Sequence, residues 1–306
     1  MSNVLLGTAI GDALGVFAES KLSNYQPLLD WDGRSFLGSE HHKLKPGQYS
    51  DDTMMSLCVA QSLIDNHGFD PDDLSKRYVE LFTSKTIRGY GRTTELAINN
   101  LLAGKHWSES GIANSYGNGT AMRAAPFGVW YRNDLHSLVE IVKIDSAITH
   151  VSEEAEAGAL AIALAAAHAA NRDTEKLLER IWEKLPDSKV KSVIYSLSSL
   201  LDARQIPPLT ALSILGTKAD VRQTVPAALY CFLRFKIYNL GVETAIRAGG
   251  DADTTAAIVG GLFGARDGTK DIFGFWMDGV EDYQRLVNLD SQLYNRSGES
   301  FFPRKS

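Results

Sequence analysis

Apolar residues recur at intervals of three and four positions through almost the whole chain, and this spacing limits the fold more than any other feature. The stretch from Met54 through Leu57 and Cys58 to Leu63 and Ile64 shows the pattern, which places its apolar side chains on one face of a helix. The alternation of apolar and polar residues that is typical of half-buried strands is not evident. The sequence therefore predicts an all-α fold.

Proline and glycine residues fall between the periodic segments and mark their ends, as at Pro186 and at Gly249-Gly250. The predicted helices cover residues 4–18, 53–66, 71–83, 92–104, 119–132, 135–149, 153–170, 174–185, 188–203, 209–215, 221–237, 241–248, 254–265 and 277–293. Because no flexible linker and no repeat of fixed period interrupts them, residues 1–306 are predicted to form a single compact multi-helix domain.

The segment from about residue 20 to residue 50 is predicted to be a long loop. It carries scattered aromatic residues, namely Tyr25, Trp31, Phe36 and Tyr49. Long loops in compact domains often act as lids or binding segments.

Composition excludes some classes of function. A net charge of -6 argues against a surface that binds nucleic acid or anionic lipid nonspecifically. The alanine-rich run from Ala155 to Ala170 is too short to cross a bilayer and carries Glu156 and His168, so it is predicted to be a buried core helix. The first residues lack the basic region of a secretory signal, and we expect a cytoplasmic protein without membrane contact.

Two short acidic clusters, Ser50-Asp51-Asp52-Thr53 and Asp251-Ala252-Asp253-Thr254-Thr255, each stand directly before an apolar helical run. Their oxygen atoms are suitable ligands for a pair of Mg²⁺-like ions. Helix capping is the alternative, since Ser, Asp and Thr accept hydrogen bonds from the free N–H groups of a helix start. A cap needs one side chain, however, and neighbouring aspartates add a repulsion that a cation would relieve.

Gly7, Gly11 and Gly15 form a strip of small residues along the first helix, which allows another backbone to approach closely. Asp12 lies near this strip and Glu19 follows the helix. Taken alone, each of these acidic residues is expected to be a solvated surface group.

The glycine-rich segment from Ser115 to Arg123 leaves backbone N–H groups accessible at a predicted helix start, where a phosphate can bind. A simple glycine-rich turn is the alternative. Arg123 could meet an anion or pair with a carboxylate, and His150, at the end of a helical segment, fits a hydrogen-bonded structural residue better than a ligand.

Taken in order, several short motifs resemble those of the ADP-ribosylglycohydrolase family over nearly the whole chain. They are Gly11-Asp12-Ala13-Leu14-Gly15 with Glu19, Ser50-Asp51-Asp52-Thr53, Gly117-Asn118-Gly119-Thr120-Ala121-Met122-Arg123, Thr149-His150 and Gly249-Gly250-Asp251-Ala252-Asp253-Thr254. The resemblance implies an all-α fold with a binuclear Mg²⁺ centre, sometimes Mn²⁺, in a cleft.

The resemblance also implies roles for individual residues. Ser50, Asp51 and Asp52 would hold one ion, Asp251 and Thr254 the other, and Asp253 both. The loop around the ADP-ribose phosphates would be Ser115, Tyr116, Gly117, Asn118 and Gly119, with His150 lining the cleft. Glu19 would approach the scissile side of the ribose, and Glu95 and the segment 88–92 are candidates for the cleft rim.

The activity implied is hydrolysis at ribose C1 of ADP-ribose joined to a protein side chain or another acceptor, with release of ADP-ribose. Glu19, Asp51 and Asp52 are candidate proton acceptors, and Asp253 completes the catalytic set. Two alternatives are a catalytically inactive module that binds ADP-ribose or serves structurally, and a phosphohydrolase that uses two metal ions. The acceptor stays open among arginine, serine, another side chain, a nucleic-acid end and a small molecule.

Overall fold

The computed structural model describes residues 2–22 and 26–297, and Tyr25 lies outside this part of the chain. The helices are α1 (Val4–Gly15), α2 (Gln26–Asp30), α3 (Asp51–Asp65), α4 (Pro71–Thr83), α5 (Arg92–Leu102), α6 (Trp107–Ser110), α7 (Ala125–Trp130), α8 (Leu135–Thr149), α9 (Glu153–Ala170), α10 (Leu177–Lys184), α11 (Lys189–Asp202), α12 (Pro208–Leu215), α13 (Val221–Arg234), α14 (Tyr238–Arg247), α15 (Ala252–Asp267), α16 (Gly274–Gly279) and α17 (Tyr283–Arg296). The strands, each two residues long, are β1 (Lys21–Leu22), β2 (Ile112–Ala113), β3 (His150–Val151) and β4 (Gly249–Gly250). The all-α prediction is confirmed.

The long helices match the periodic segments closely, and α4, α8 and α9 have the predicted bounds. Two short helices, α2 and α6, were not predicted, and the predicted helix 277–293 is divided into the end of α16 and most of α17; helices of four to six residues are too short to show a helical period. The helix predicted at 119–132 begins only at Ala125, and turns occupy the residues before it. That all of residues 1–306 form one domain stays a prediction.

At the centre of the fold, α1 and α15 are in backbone contact. A Cβ atom on Gly7 would lie 2.2 Å from the carbonyl oxygen of Gly260, and one on Gly11 would lie 2.1 Å from that of Ala256. Since the contacts run in opposite directions along the two helices, they are antiparallel. The end of α1 therefore lies beside the start of α15, and the predicted close approach along the glycine strip is confirmed.

Two pairs of short strands fix the segments around this junction. The antiparallel pair β1 and β4 joins the chain after α1 to the residues that precede Asp251. The parallel pair β2 and β3 places the segment that follows Ala113 beside His150. Both pairs bring residues far apart in sequence to the same region.

The remaining core surrounds these helices. Helix α9 is almost entirely buried, as predicted for the alanine-rich run. In the segment 20–50, Trp31 and Tyr49 are only 5% and 3% exposed, so these two aromatic residues of the predicted loop pack into the body of the protein. Within residues 2–22 and 26–297, no helix has both the length and the apolar character needed to cross a membrane.

Candidate active site

A cavity of about 260 Å³ lies where the first turns of α3 and α15 meet. Its acidic wall consists of Glu19, Asp51, Asp52, Asp251 and Asp253. The acidic clusters that are 200 positions apart in sequence thus face one space.

The antiparallel packing of α1 on α15 explains part of this convergence. A Cβ atom on Gly15 would lie only 2.6 Å from the Cα of Asp253, so the chain leaving α1 passes directly over the start of α15. Carboxylate oxygens of Glu19, Asp251 and Asp253 consequently lie within 4.8 Å of one another. Such a spacing suits ligands of a shared cation.

Asp12 positions the other acidic cluster from inside the protein. Its carboxylate accepts hydrogen bonds from the backbone N–H of Ser50 at 2.9 Å and of Thr53 at 3.1 Å, and from the Thr53 hydroxyl at 2.6 Å. The expectation that Asp12 is a solvated surface group is wrong, because α1 is buried on every side and leaves no solvent-facing position. Glu19 is partly exposed, with 23% of its side chain accessible.

The acidic wall is electrostatically unfavourable without a counter-charge. Burial, reinforced by repulsion from neighbouring carboxylates, raises the pKa of Asp51, Asp52 and Asp253 well above the usual value, and burial raises the pKa of Asp251 to about 6. Oδ1 of Asp52 is buried and has no hydrogen-bond partner among the described residues. A buried carboxylate oxygen without a partner is costly, and a hard divalent cation would satisfy it.

Capping accounts for only part of the two clusters. Ser50 is the N-cap of α3, and its hydroxyl accepts from the N–H of Asp52 at 3.4 Å. Asp251 is the N-cap of α15, yet its side chain makes no capping hydrogen bond. It is held instead by the side-chain amide of Asn118, which donates to Asp251 Oδ2 and to the Thr224 hydroxyl.

The glycine-rich segment and His150 also line the cavity. Gly117, Asn118 and Gly119 line the cavity together with the imidazole, which is 3% exposed. Burial, with a smaller contribution from the charge of Arg123, lowers the pKa of His150 to about 3, so the ring is neutral. His150 has the hydrogen-bonded, buried character expected of a structural residue and also faces the cavity.

Arg123 pairs with a carboxylate, which decides between the two alternatives for this residue. Its Nε lies 3.1 Å from Oδ2 of Asp145, and both side chains are buried. Its Nη1 donates to the carbonyl of Gly119 at 3.1 Å. Arg123 therefore stabilises the glycine-rich segment through a buried hydrogen bond, and its charge is paired with Asp145 rather than with a ligand.

Not every predicted site residue lines the cavity. Thr254 is among the described lining residues, but four others are not, namely Ser50, Ser115, Tyr116 and Glu95. Oγ of Ser115 lies 3.0 Å from the Thr93 hydroxyl, and the Tyr116 ring packs against Arg222 at 4.5 Å. Of the predicted rim segment 88–92, Gly89, Gly91 and Arg92 line the cavity. The ligand roles of these residues stay predictions.

Other lining or contacting residues were missed from the sequence. Thr93, Thr94, Met122 and Ala219 also line the cavity. His42, whose spacing from other histidines carries no signal, is hydrogen-bonded to Glu19, and this bond raises the pKa of the imidazole. Only the fold brings residue 42 to residue 19, so no local pattern could have shown the pair.

Comparison with known proteins gives a consistent assignment. The family model of the ADP-ribosylglycohydrolases matches residues 2–301. A protein of Archaeoglobus fulgidus is 31% identical, with 95% of each chain covered. The ADP-ribosylhydrolase ARH3 of Gallus gallus is 27% identical over 95% of this chain and 91% of its own.

A solved structure, described as an ADP-ribosylglycohydrolase-related protein complex, superposes with a TM-score of 0.74 at 28% identity and covers 96% of both chains. Sequence and fold thus agree over nearly the same length. The chain belongs to the ADP-ribosylglycohydrolase family.

Proposed function

We propose that this protein hydrolyses the glycosidic bond at ribose C1 of ADP-ribose joined to a protein side chain or another acceptor, releasing ADP-ribose. The observation that carries the proposal is the convergence of Glu19, two aspartates of α3 and two at the start of α15 on one cavity. The glycine-rich segment and a neutral imidazole line the same cavity. The cavity thus combines carboxylates suited to cations with groups suited to a polar ligand.

Two Mg²⁺ ions, or Mn²⁺ in their place, fit the acidic wall. Ser50, Asp51 and Asp52 would hold one ion, Asp251 and Thr254 the other, and Asp253 would contact both. The buried Oδ1 of Asp52, which lacks a partner among the described residues, supports this assignment. When bound, such ions stabilise negative charge that develops on substrate oxygens.

The chain's own residues orient the substrate and move the proton. Backbone N–H groups of residues 117–119, which lie in the non-helical segment before α7, suit the diphosphate of ADP-ribose. Cleavage at C1 passes through an oxocarbenium-like state that water captures, and a carboxylate that accepts the proton of this water promotes the step. Glu19 is a good candidate because it lies at the cavity and is more exposed than the aspartates, while Asp51 and Asp52 are the other candidates.

Product analysis tests the activity. Purified protein with Mg²⁺ is incubated with ADP-ribose linked to arginine, to serine and to a nucleic-acid end, and the products are identified by mass spectrometry. Free ADP-ribose supports the proposal, whereas released phosphate would indicate a phosphohydrolase. ADP-ribose binding without any product would indicate an inactive binding module.

A matched pair of variants links turnover to the acidic wall. Asp253→Asn removes a carboxylate from the cavity and is expected to abolish release of ADP-ribose. Asp72→Asn also changes an aspartate in the first turn of a helix, but this side chain is 78% exposed and lies outside the cavity, so activity should be retained. Full activity of Asp253→Asn would refute the role of this residue.

A further inference from the structure

The hydrogen bonds around Thr149 determine which nitrogen of His150 carries the proton. Arg123 and Thr149 are both 0% exposed, so protein groups supply the partners of their polar atoms, and the neighbouring His150 is 3% exposed. Nη2 of Arg123 donates to the Thr149 hydroxyl at 2.9 Å. The same hydroxyl oxygen lies 2.8 Å from Nδ1 of His150.

Only one direction of the second hydrogen bond gives the hydroxyl proton of Thr149 an acceptor. If Nδ1 carried the proton, the Thr149 oxygen would accept twice, and its own proton would have no acceptor among the described residues. A buried donor without an acceptor is strongly disfavoured. The hydroxyl therefore donates to Nδ1 and accepts from Arg123.

A neutral imidazole carries a single proton, so an accepting Nδ1 leaves that proton on Nε2. The buried ring is neutral, because desolvation and the charge of Arg123 hold the pKa of His150 at about 3. Arg123 cannot reverse the arrangement, since a guanidinium has only donors.

The protonated edge of the ring faces the candidate cavity across two glycines. A Cβ atom on Gly117 would lie 3.2 Å from Nε2 of His150, and one on Gly119 would lie 3.3 Å from it. Because neither position has a side chain, nothing from these residues covers the N–H, and both residues line the cavity with His150. A ligand oxygen can therefore approach Nε2.

We propose that Thr149 is a positioning residue: its hydroxyl fixes the tautomer of His150 with the proton on Nε2, so that the ring meets an oxygen of bound ADP-ribose only as a hydrogen-bond donor. The ligand in this statement rests on the proposed function, whereas the tautomer is a property of the free protein. A ring in this state binds an acceptor oxygen and does not take a proton from water, which leaves proton transfer to the carboxylates.

Nuclear magnetic resonance of the ligand-free protein tests the tautomer directly. The protein is labelled with ¹⁵N at its histidine rings, and the His150 signals are identified by their loss in His150→Gln. We expect a protonated Nε2 and an unprotonated Nδ1 that stay unchanged between about pH 5 and 8, where ordinary histidines titrate. A proton on Nδ1 would overturn the inference.

Two substitutions at Thr149 test its positioning role. Thr149→Val keeps the shape but removes the hydroxyl, while Nη2 of Arg123 retains the Asp145 carbonyl at 3.1 Å. Without the hydroxyl, Nδ1 protonation is no longer opposed, and we expect calorimetry to show ADP-ribose affinity about tenfold lower. Thr149→Ser should restore both the tautomer and the affinity.

The outcomes separate this inference from the proposed function. Equal ADP-ribose affinity of the Val and Ser variants, or no binding to the wild-type protein, would overturn the donor role. A wild-type ring protonated on Nε2 that binds ADP-ribose, in a protein that hydrolyses no conjugate, would support the inference and contradict the hydrolase. If Thr149→Val does not fold, the wild-type spectrum still decides the tautomer.

Discussion

Asp290 shows how a buried carboxyl can serve the fold outside the candidate active site. It lies on α17 and accepts hydrogen bonds from the backbone N–H of Leu5 at 2.9 Å and of Leu6 at 3.0 Å. These groups belong to the first turn of α1, whose N-cap residue Asn3 makes no side-chain capping bond. Asp290 thus caps α1 from another helix.

The pKa of Asp290 predicts a pH dependence of stability. Burial raises this pKa from 3.8 to about 7 in the folded protein. Between these two pH values the unfolded chain loses a proton that the folded chain keeps. The contribution of the protonated Asp290 to the free energy of unfolding is therefore full below about pH 4 and is lost as the pH rises towards 7. The stability of the wild type relative to Asp290→Asn should therefore fall with pH, by up to about 1.4 kcal/mol per pH unit.

Urea denaturation of both proteins at several pH values measures this difference. The amide in the variant cannot ionise, so changes that affect all other groups cancel in the comparison. A stability difference that stays constant from acidic to neutral pH would contradict the raised pKa.

At the scale of single residues, the sequence singled out four aspartates that the fold places at the cavity, and their chemistry stays a prediction. Asp51, Asp52, Asp251 and Asp253 were recognisable because two carboxylates stand next to or near each other before an apolar run. The burial of Asp12 was not recognisable, since a single acidic residue in an apolar helix does not show that another helix covers that residue.

At the scale of elements, the contact between α1 and α15 determines where the acidic residues lie. The antiparallel crossing at glycine positions places the end of α1 against the start of α15. From the same stretch of α1, Asp12 holds the first turn of α3 through the N–H groups of Ser50 and Thr53. One helix thus sets the positions of two helix starts.

Substitution of Gly11 tests this dependence. A Cβ atom there would lie 2.1 Å from the carbonyl oxygen of Ala256, so Gly11→Ala must push the two helices apart. We expect a loss of about 2 kcal/mol or more in the free energy of unfolding. Gly274→Ala is the matched control, since a Cβ atom at Gly274 would have no neighbour within 4 Å. Equal stabilities of the two variants, measured by denaturant unfolding, would show that the contact does not constrain the helices.

The long helices could be predicted and the irregular segments could not. A long buried helix such as α9 has enough residues to be recognised as helical, whereas the four residues of α6 are too few to show the helical spacing of apolar residues. The turns before α7 were predicted to be helical because apolar residues continue through them. Pro126 suits the first turn of a helix and not its interior, which agrees with a helix that begins at Ala125.

At the scale of the whole molecule, the cavity combines segments from both ends of the chain. Family resemblance predicted that these segments meet, and the fold shows how. Backbone packing brings them together, and they are held by buried hydrogen bonds that Asp12 accepts and that Asn118 donates. The pairing of His42 with Glu19 and the bracing of the glycine-rich segment by Arg123 depend on tertiary contacts that no local pattern records.

Calorimetric titration of the metal-free protein with Mg²⁺ tests the central claim most directly, namely that aspartates of α3 and α15 belong to one binuclear cation centre. The wild type and Asp72→Asn should bind Mg²⁺ alike, while Asp52→Asn and Asp253→Asn should each lose at least about tenfold in affinity, because each removes a charged oxygen from the same centre. Unchanged Mg²⁺ binding in both cavity variants, or no binding to the wild type, would contradict the account.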